Sequence, residues 1–390
     1  MSKQSLLIYS PEFHTYQFGP EHPFHPLRLD VTVDLIRQMG IVTPDQIVLP
    51  EMCSRHDLLP VHAEGFIDAI EQASRLKAPT SLLKTYGLDT DDTPPFPGMD
   101  EATRLVVGAT MQGAKLIMEG KADHVFQIAG GLHHAHRNRA SGFCVFNDAA
   151  VAITYLQRKY GIRVLYIDTD AHHGDGVQSI FYDDPMVLTI SIHETGRYLF
   201  PGTGNAEERG RFDGYGFSIN VPLEPYTEDD SFIDLYERSV EPLVKAFQPD
   251  FIITQNGCDA HYLDPLTHLA LTTRTYEAIP RLAHRLAHSY CQGRWLALGG
   301  GGYDHWRVVP RAWTLLWAEM NDQAVPDEIP SSWLQRWQTL SPVSLPTRMR
   351  DGDGEFPPIP RRAIIEDKNR VTLQRVMRDA VELIESRSGI

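Results

Sequence analysis

The sequence is poor in cysteine and has no long hydrophobic segment. Its four cysteines, in 390 residues, form no CxxC pair and are too few for a disulfide scaffold, which favours a reducing compartment. No stretch reaches the about 18 consecutive apolar residues of a membrane-spanning helix, and the N-terminus lacks the apolar core of a secretion signal. We therefore expect a cytoplasmic protein.

Basic residues are also outnumbered. The chain has 36 Lys and Arg against 51 Asp and Glu, a formal net charge of −15. This excess repels nucleic acids and anionic membranes, so we expect neither as a partner. The hydrophobic content of 42% is ordinary for a globular protein and argues against disorder. A monomer and an oligomer are both compatible with this composition.

What the sequence does contain is an alternation of short apolar runs with helical patterns. Helical periodicity starts at Asp100 and again near Asp229 or Asp230, where either aspartate is suited to cap the second helix. The alternation predicts an α/β fold with a mostly parallel sheet, helices on both faces and a site at the carboxyl ends of the strands. The runs that predict buried strands are 5–10, 124–129, 163–170, 186–192, 217–223, 251–256 and 295–302.

Two segments lack periodicity, residues 76–99 and the Pro-containing segment 341–361. We expect the first to border the site and the second to lead into a C-terminal helix from about Ile365 to Glu385. No repeat or strong linker divides the chain. We therefore predict one domain over residues 1–390, with its core at about 5–320 and the remaining residues, 321–390, packed on that core.

Metal-ligand residue types follow one predicted strand, in DTDAHHGDG. Asp168, Asp170 and His172 alternate, so a continuing strand points all three to one face. Asp259, in NGCDAHYLDP, ends another predicted strand and is expected at the same edge. Carboxylate oxygens and imidazole nitrogens suit Zn²⁺ or Fe²⁺, and three protein ligands leave a position open, as in catalytic sites. A solvated acidic turn is the alternative interpretation.

Two adjacent histidines, His133 and His134, follow a strand and a glycine turn in GGLHHAHRNRASGFCVFND. They are candidates for acid/base chemistry. Asp168 and Asp175 are the spare carboxylates nearby, and a carboxylate bonded to the far nitrogen of an imidazole orients the ring and makes it more basic. The alternative is that both histidines are hydrogen-bonded core residues.

A run of four glycines precedes Tyr303, in GGGGY at 299–303. Such a run loses side-chain packing unless the backbone must turn tightly or approach another group closely. A tyrosine hydroxyl on this loop can donate a hydrogen bond to a developing oxyanion. A GxGxxG cofactor loop is disfavoured because no phosphate-binding pattern accompanies the glycines.

Several blocks together resemble the histone deacetylase family, in its zinc-dependent branch, over about residues 5–320. The blocks are GGLHHAHRNRASGFCVFND, LYIDTDAHHGDGVQSIFY, ETGRYLFPGTG, QNGCDAHYLDPL and LALGGGGY. The resemblance implies an arginase-like α/β fold, hydrolysis of an acyl-lysine amide, and one zinc ion bound by Asp170, His172 and Asp259. The implied substrate is an acetylated protein lysine or a small acylated amine.

The resemblance also implies a role for each acid/base candidate. His134 becomes the main general base and acid, and His133 its electrostatic partner. Asp168 and Asp175 become the carboxylates that orient the two imidazoles. Tyr303 becomes the residue that stabilises the oxyanion together with the metal.

A substrate channel is implied as well. Phe143 and Phe200 match its aromatic walls, and Arg28 matches the basic residue of an internal acetate pocket. Asp92 matches a rim aspartate that holds the substrate backbone, with Asp91 as the alternative. The complete set of implied substrate-binding residues is Arg28, Asp92, Gly142, Phe143, Phe200 and Leu266.

Family members also bind a monovalent cation, usually potassium, through backbone oxygens. The matching residues here are Asp168, Asp170, His172 and Ser191. One departure from the family pattern precedes the ligand Asp259, where the usual alanine is replaced by Cys258. We expect this cysteine to act as a small buried hydrophobic residue.

Two other classes of protein deserve comparison. DAHHGD also resembles the signature of binuclear manganese ureohydrolases, but these need a second aspartate where CDAHYLDP has His261. A non-catalytic acyl-lysine binder is disfavoured because every ligand and acid/base position is filled. Among substrates, Leu266 at the rim, in place of an acidic residue, argues against a preference for acetylpolyamines.

Overall fold

A computed structural model describes residues 5–387 of the chain. One eight-stranded sheet, with every strand pair parallel, has the order β2-β1-β3-β8-β7-β4-β5-β6. The strands are β1 (Leu6–Ile8), β2 (Ile47–Val48), β3 (His124–Gln127), β4 (Val164–Asp168), β5 (Val187–Glu194), β6 (Ser218–Leu223), β7 (Phe251–Gln255) and β8 (Trp295–Leu298).

The helices connect these strands and cover both faces of the sheet. They are α1 (Leu27–Gln38), α2 (Arg55–Leu58), α3 (Glu64–Ser74), α4 (Thr80–Thr85), α5 (Met99–Met118), α6 (Asp148–Tyr160), α7 (Asp175–Ile180), α8 (Asp229–Phe247), α9 (Thr273–Tyr290), α10 (Val309–Met320), α11 (Ser331–Gln338), α12 (Arg362–Met377) and α13 (Ala380–Arg387). Among these residues no helix is both long and apolar enough to cross a membrane.

The central strands are buried throughout because both of their faces are covered. All residues of β3, β4, β7 and β8 are buried. Helices α5 and α6 pack together, and α1, α10, α9 and α8 form a second continuous set of packed helices. Continuous apolar runs, rather than alternation, are typical of a parallel sheet between two helical layers.

The predicted α/β fold is confirmed, and each of the seven predicted strands overlaps a strand of the sheet. The strand missed is β2, which has only two residues and therefore too short a pattern to detect. The predicted cap of α8 is wrong: the N-cap is Glu228, and Asp229 and Asp230 lie in the first turn. Asp229 instead accepts hydrogen bonds from Thr272 and Thr275.

The segment predicted as one C-terminal helix forms two helices, which pack on the rest of the molecule. The predicted helix from Ile365 to Glu385 is divided into α12 and α13, which contact α8, and α12 also lies against β6. That 1–390 forms a single domain stays a prediction, and its ends at 1–4 and 388–390 lie outside the described residues.

A buried ion-pair network joins the Pro-containing segment 341–361 to the core. The Asp351 carboxylate lies 2.7 Å from Nη1 of Arg311 and 2.9 Å from Nε2 of His261. All three side chains are at most 2% exposed. Burial raises the pKa of Asp351, but the hydrogen bond from His261 and the charges of His261 and Arg311 outweigh it, so the pKa lies well below its usual value.

We predict that Asp351→Asn lowers the free energy of unfolding by about 3–5 kcal/mol, because it leaves the buried Arg311 guanidinium without a countercharge. Denaturant titration measures the loss, and Asp353→Asn, at an exposed position in the same segment, is the matched control. The folded pKa is depressed, so the loss is fully present above the unfolded pKa of about 3.9 and shrinks as pH falls below it. Equal stability of the two variants at neutral pH would contradict the network.

Candidate metal centre and active site

The candidate site lies where four neighbouring strands end. In the sheet order β3, β8, β7 and β4 are adjacent and parallel, so their carboxyl ends meet at one edge. The predicted ligand and acid/base residues all lie in the segments that leave these strands. This is the edge at which ligands bind in open parallel sheets.

The predicted ligands Asp170, His172 and Asp259 converge. Nδ1 of His172 lies 2.8 Å from Oδ2 of Asp259 and 3.1 Å from Oδ1 of Asp170. One donor atom from each residue lies within 4.8 Å of the other two, and all three residues are buried. The structure therefore brings together residues from two distant segments, although β4 ends at Asp168 and does not continue through Asp170 and His172 as the spacing argument required. Metal binding by the three residues stays a prediction.

The other carboxylate oxygens are occupied by hydrogen bonds. Oδ2 of Asp170 accepts hydrogen bonds from the side-chain amide of Gln255 and the backbone N–H of Gly301, both at 2.7 Å. Oδ1 of Asp259 accepts one from the backbone N–H of Ala171 at 2.8 Å. These bonds orient both carboxylates, so that one oxygen of each faces the imidazole of His172.

The electrostatics of this group fit a cation. Burial, and then the negative charge of Asp170, raise the pKa of Asp259 to about 6. Two buried carboxylates repel each other, and a divalent ion between them would remove that penalty. Two carboxylate oxygens and one imidazole nitrogen fit Zn²⁺ or Fe²⁺.

The four-glycine run is explained by close approach of the backbone to the ligands. A Cβ on Gly301 would lie 2.3 Å from Oδ2 of Asp259 and 2.7 Å from Oδ2 of Asp170. Gly300 and Gly302 have φ values of 131° and 143°, which side chains other than glycine rarely adopt. The glycine run thus allows the backbone N–H of Gly301 to donate to the ligand Asp170, and Tyr303 follows directly after the run.

Each predicted acid/base histidine is paired with a carboxylate. Nδ1 of His133 lies 2.8 Å from Oδ2 of Asp168, and Nδ1 of His134 lies 2.7 Å from Oδ1 of Asp175. The imidazole rings are 4.0 Å apart between centroids. In both cases Nδ1 is occupied by the carboxylate, which leaves Nε2 for other chemistry.

The two imidazoles differ in charge because their neighbours differ. Burial lowers the pKa of His133, but Asp168 and Asp170 outweigh it and raise the pKa to about 9. Burial and the charge on His133 lower the pKa of His134 to about 4, against the opposing effect of Asp175. At neutral pH His133 is therefore protonated and His134 neutral.

Two aromatic rings border the approach to these groups. The ring of Phe200, 44% exposed, lies 5.1 Å from that of His134. The ring of Phe143 lies edge-on to that of Tyr303 at 5.7 Å. Gly142 permits this packing, since a Cβ there would lie 2.5 Å from Cδ2 of His134. The structure thus places both predicted walls beside the site.

Tyr303 enters the site from the glycine loop. Its ring centroid is 6.5 Å from that of His172, and its backbone N–H donates to Oδ2 of Asp264 at 2.8 Å. Burial, and then the charge of Asp259, raise the pKa of its hydroxyl well above the usual value. The hydroxyl is therefore protonated and available as a donor.

Arg28 is buried beneath the glycine loop. Its Nη1 donates to the carbonyl oxygens of Gly300 and Gly302, at 2.8 and 3.2 Å. The guanidinium also lies over the rings of Phe24 and Trp313. The structure thus supports a part for Arg28 in holding the loop, and its place in an acetate pocket stays a prediction.

The rim residues lie next to the walls and the loop. Burial lowers the pKa of His22, and a hydrogen bond with the backbone of Asp92 acts in the opposite direction. The ring of His22 contacts that of Phe143. Leu266 is partly exposed, and its N–H donates to Oδ1 of Asp264 at 3.0 Å. The choice of Asp92 over Asp91 stays a prediction.

The segments implied for potassium are adjacent in the sheet. Asp168 at the end of β4 pairs with Ser191 in β5. The hydroxyl of Ser191 lies 2.8 Å from Nδ1 of His193. The backbone of Asp170 and His172 follows directly after β4, so the four residues are neighbours, and binding of the ion stays a prediction.

Sequence reasoning missed several residues that hold the site together. Asp264 binds the backbone of both Leu266 and Tyr303 through its two oxygens. Tyr166 donates to Oδ2 of Asp168 at 2.9 Å, and strand parity with Asp168 was the available signal. His136 lies 3.1 Å from Oδ2 of Asp175, a contact with no signal in the sequence.

Two details bear on the sequence-based alternatives. Nε2 of His261 pairs with Asp351 and Nδ1 accepts the N–H of Leu263, so both ring nitrogens are engaged in the network below the site. The ureohydrolase interpretation required a metal ligand at this position.

Cys258 is fully buried, and its Sγ would lie 2.6 Å from a Cβ on Gly302, in keeping with a small apolar residue.

The parallel sheet and the buried Asp–His–Asp group at its carboxyl edge define a hydrolase of the arginase and deacetylase fold. The histone deacetylase domain matches residues 22–320, and the chain belongs to the histone deacetylase family. This identifies the activity as deacetylation in a family of metal-dependent enzymes.

Particular relatives are similar over nearly their whole length. The acetoin utilization protein AcuC of Bacillus subtilis (strain 168) is 52% identical over 375 residues, 96% of this chain and 97% of that protein. AcuC of Staphylococcus xylosus is 42% identical over 378 residues, 97% and 98% of the two chains. These findings confirm the resemblance to the family. The segments DTDAHHGDGVQ, IHETGRYLFPGTG and GGGGYDHWRVVPRAW indicate its acetoin-utilisation branch.

A solved structure shares the fold. The crystal structure of a histone deacetylase homolog from Aquifex aeolicus superimposes with a TM-score of 0.83 at 28% identity, covering 96% of this chain and all of that one. A structure of a histone deacetylase homolog complexed with SAHA matches equally well.

We predict that Asp170→Ala loses one equivalent of bound metal and the deacetylase activity together, because the substitution removes one of three protein ligands. Elemental analysis of dialysed protein, beside the wild type, measures the loss. Asp213→Ala removes an exposed aspartate and should keep both. Wild-type metal content in Asp170→Ala would reject the ligand assignment.

Proposed function

We propose that the protein removes an acetyl or similar short acyl group from a lysine side chain of a protein substrate, with Asp170, His172 and Asp259 as ligands of a zinc ion. One observation carries the proposal. A neutral imidazole, a protonated imidazole and a protonated tyrosine surround one three-ligand group, beside two aromatic walls.

The walls suit an aliphatic amine substrate. Phe143 and Phe200 lie beside Tyr303 and His134, respectively, at the approach to the ligand group. Rings of this kind pack against the methylene groups of an extended lysine side chain, while polar groups at the base orient the amide. The net charge of −15 adds a long-range preference for basic protein substrates.

Zinc in this site supplies Lewis acidity toward the acyl carbonyl and toward a water molecule. His134, neutral and held at Nδ1 by Asp175, accepts a proton from that water at Nε2 as the water oxygen bonds to the acyl carbon. The same proton then passes to the lysine nitrogen as the carbon–nitrogen bond breaks. The products are the amine and the carboxylic acid, and transfer of the second water proton from the acid to the amine gives the ammonium ion and the carboxylate.

The remaining groups stabilise charge. The Tyr303 hydroxyl donates a hydrogen bond to the carbonyl oxygen as it becomes anionic. His133 keeps its proton because Asp168 bonds its Nδ1, so its positive charge offsets the developing negative charge nearby. Burial, and then this charge, lowers the pKa of His134, which keeps the general base unprotonated.

The relatives suggest a physiological setting. Since proteins named for acetoin utilization match almost the full chain, we place the activity in acetoin utilisation.

Turnover of an acetyl-lysine peptide panel beside acetylputrescine tests the substrate class. The peptides should be preferred, because Leu266 provides no negative charge at the rim for a second amine. Preference for acetylputrescine would favour the small-amine alternative.

We predict that His134→Ala lowers kcat by about 10²- to 10⁴-fold, the usual size of a general acid/base contribution. The metal content should stay at the wild-type level, since His134 is not a ligand. Steady-state kinetics on an acetyl-lysine peptide, with metal analysis of the same preparation, measures both. Near-normal turnover in the metal-loaded variant would rule out this assignment.

We predict that Tyr303→Phe lowers kcat by about 10²- to 10³-fold, or about 2.7–4 kcal/mol, because the hydroxyl acts on the oxyanion of the transition state. The Kd of an acetyl-lysine peptide, measured directly, should change much less, since a neutral carbonyl accepts a weaker hydrogen bond. Loss of binding with an unchanged kcat would instead make Tyr303 a residue that positions the substrate.

A further inference from the structure

A second group of histidines lies away from the active site. His124 is the first residue of β3, and His284 and His288 lie on successive turns of α9. The Nε2 atoms of His124 and His284 are 3.1 Å apart, those of His288 and His124 3.2 Å, and those of His288 and His284 3.1 Å. We call these residues the histidine triad.

The triad is separate from the deacetylase site. It lies at the amino end of β3, whereas His133 and His134 follow the carboxyl end of the same strand. Trp295, the first residue of the adjacent strand β8, covers it from within the core. Its ring stacks on that of His284 at 5.8 Å and meets that of His124 edge-on at 5.5 Å.

Hydrogen bonding alone does not satisfy three nitrogens in this arrangement. Each imidazole nitrogen has one position in the ring plane, which holds either a proton or a lone pair. Two N–H groups aimed at the centre would clash, so a neutral triad has at most one donor and at least two lone pairs facing each other. A cation at the centre accepts all three lone pairs and removes the repulsion.

The spacing matches a tetrahedral metal. Nitrogen ligands at the usual zinc distance of 2.0–2.1 Å are about 3.3–3.4 Å apart when the geometry is tetrahedral. The observed separations of 3.1–3.2 Å differ from this by a few tenths of an ångström. Three imidazoles, with no thiolate, suit Zn²⁺ and its neighbours Ni²⁺ and Cu²⁺.

The surroundings support a ligand role for the triad. Nδ1 of His284 lies 3.5 Å from the carboxylate of Glu319 and 3.9 Å from that of Asp322. A carboxylate at the far nitrogen of a ligating histidine is the usual outer contact of a metal site, and it supplies negative charge. His124 and His284 are buried but His288 is exposed, so solvent can reach the fourth position.

We propose that His124, His284 and His288 bind a second divalent transition metal, zinc in the first instance, with a solvent molecule as fourth ligand. The ion would tie the C-terminal turns of α9 to the amino end of β3. Glu319 on α10 would orient His284 from behind. This site is independent of the proposed catalytic zinc.

The test counts zinc in full-length protein stripped with a chelator and reloaded. Asp170→Ala removes the active-site ligand and should still bind one equivalent of zinc. Adding His288→Ala should weaken that binding more than about 100-fold, since loss of an outer contact alone costs about 10- to 100-fold. His56→Ala, at an exposed histidine on α2, is the matched control and should leave the equivalent in place.

A second comparison avoids the Asp170 background. His288→Ala alone should bind one equivalent fewer than wild type and keep the wild-type deacetylase rate. Glu319→Gln should weaken zinc at the triad by about 10- to 100-fold. Zinc should raise the melting temperature of Asp170→Ala but not that of Asp170→Ala/His288→Ala.

Equal zinc content in wild type and His288→Ala, or in the two Asp170 variants, would overturn the proposal. The outcome does not depend on the proposed function, because zinc content is measured without substrate. A protein inactive on every acyl-lysine peptide would still show whether the triad binds metal.

Discussion

Asp170 and Asp259 are buried against each other at the carboxyl edge of the sheet, and the rest of the site depends on this arrangement. Burial, and then repulsion by the negative charge of Asp170, raises the pKa of Asp259. Hydrogen bonds from Gln255, Ala171 and Gly301 hold them in place. The two carboxylates thus form an anionic group that a divalent cation would neutralise. Hydrogen bonds from backbone N–H groups stabilise this anionic group in the folded chain.

The same crowding explains the unusual sequence around the site. Gly301 and Gly257 both face Asp170 at distances that a Cβ would occupy, and the backbone N–H of Gly301 donates to its carboxylate. The loop that brings Gly301 to the ligands also carries Tyr303. Arg28 and Asp264 hold that loop from either side. The position of the oxyanion donor is therefore a consequence of how the metal ligands are hydrogen-bonded.

The carboxylates also affect the protonation of the two adjacent histidines. The charges of Asp168 and Asp170 outweigh burial and raise the pKa of His133, whereas burial and then the charge of His133 lower the pKa of His134. Two adjacent buried histidines in one sequence block thereby acquire opposite protonation states because the charges around them differ. The histidine triad at the other end of β3 is a contrasting case, in which three imidazoles face each other and no carboxylate lies among the converging nitrogens.

The sequence by itself determined the layered α/β fold, since continuous apolar runs alternating with helical periodicity suit only strands covered on both faces. It also indicated that Asp170, His172 and Asp259 would meet, because parallel strands end at one edge. Strand β2 has two residues and was too short to detect. Asp229 was mistaken for the cap of α8 because its hydrogen bonds with Thr272 and Thr275 cannot be read from the sequence. Only the tertiary structure decided which nitrogen meets which oxygen, that Asp264 and His136 support the site, and that His124 meets α9. Such contacts join residues far apart in the chain, and their energies depend on packing and burial that no local pattern contains.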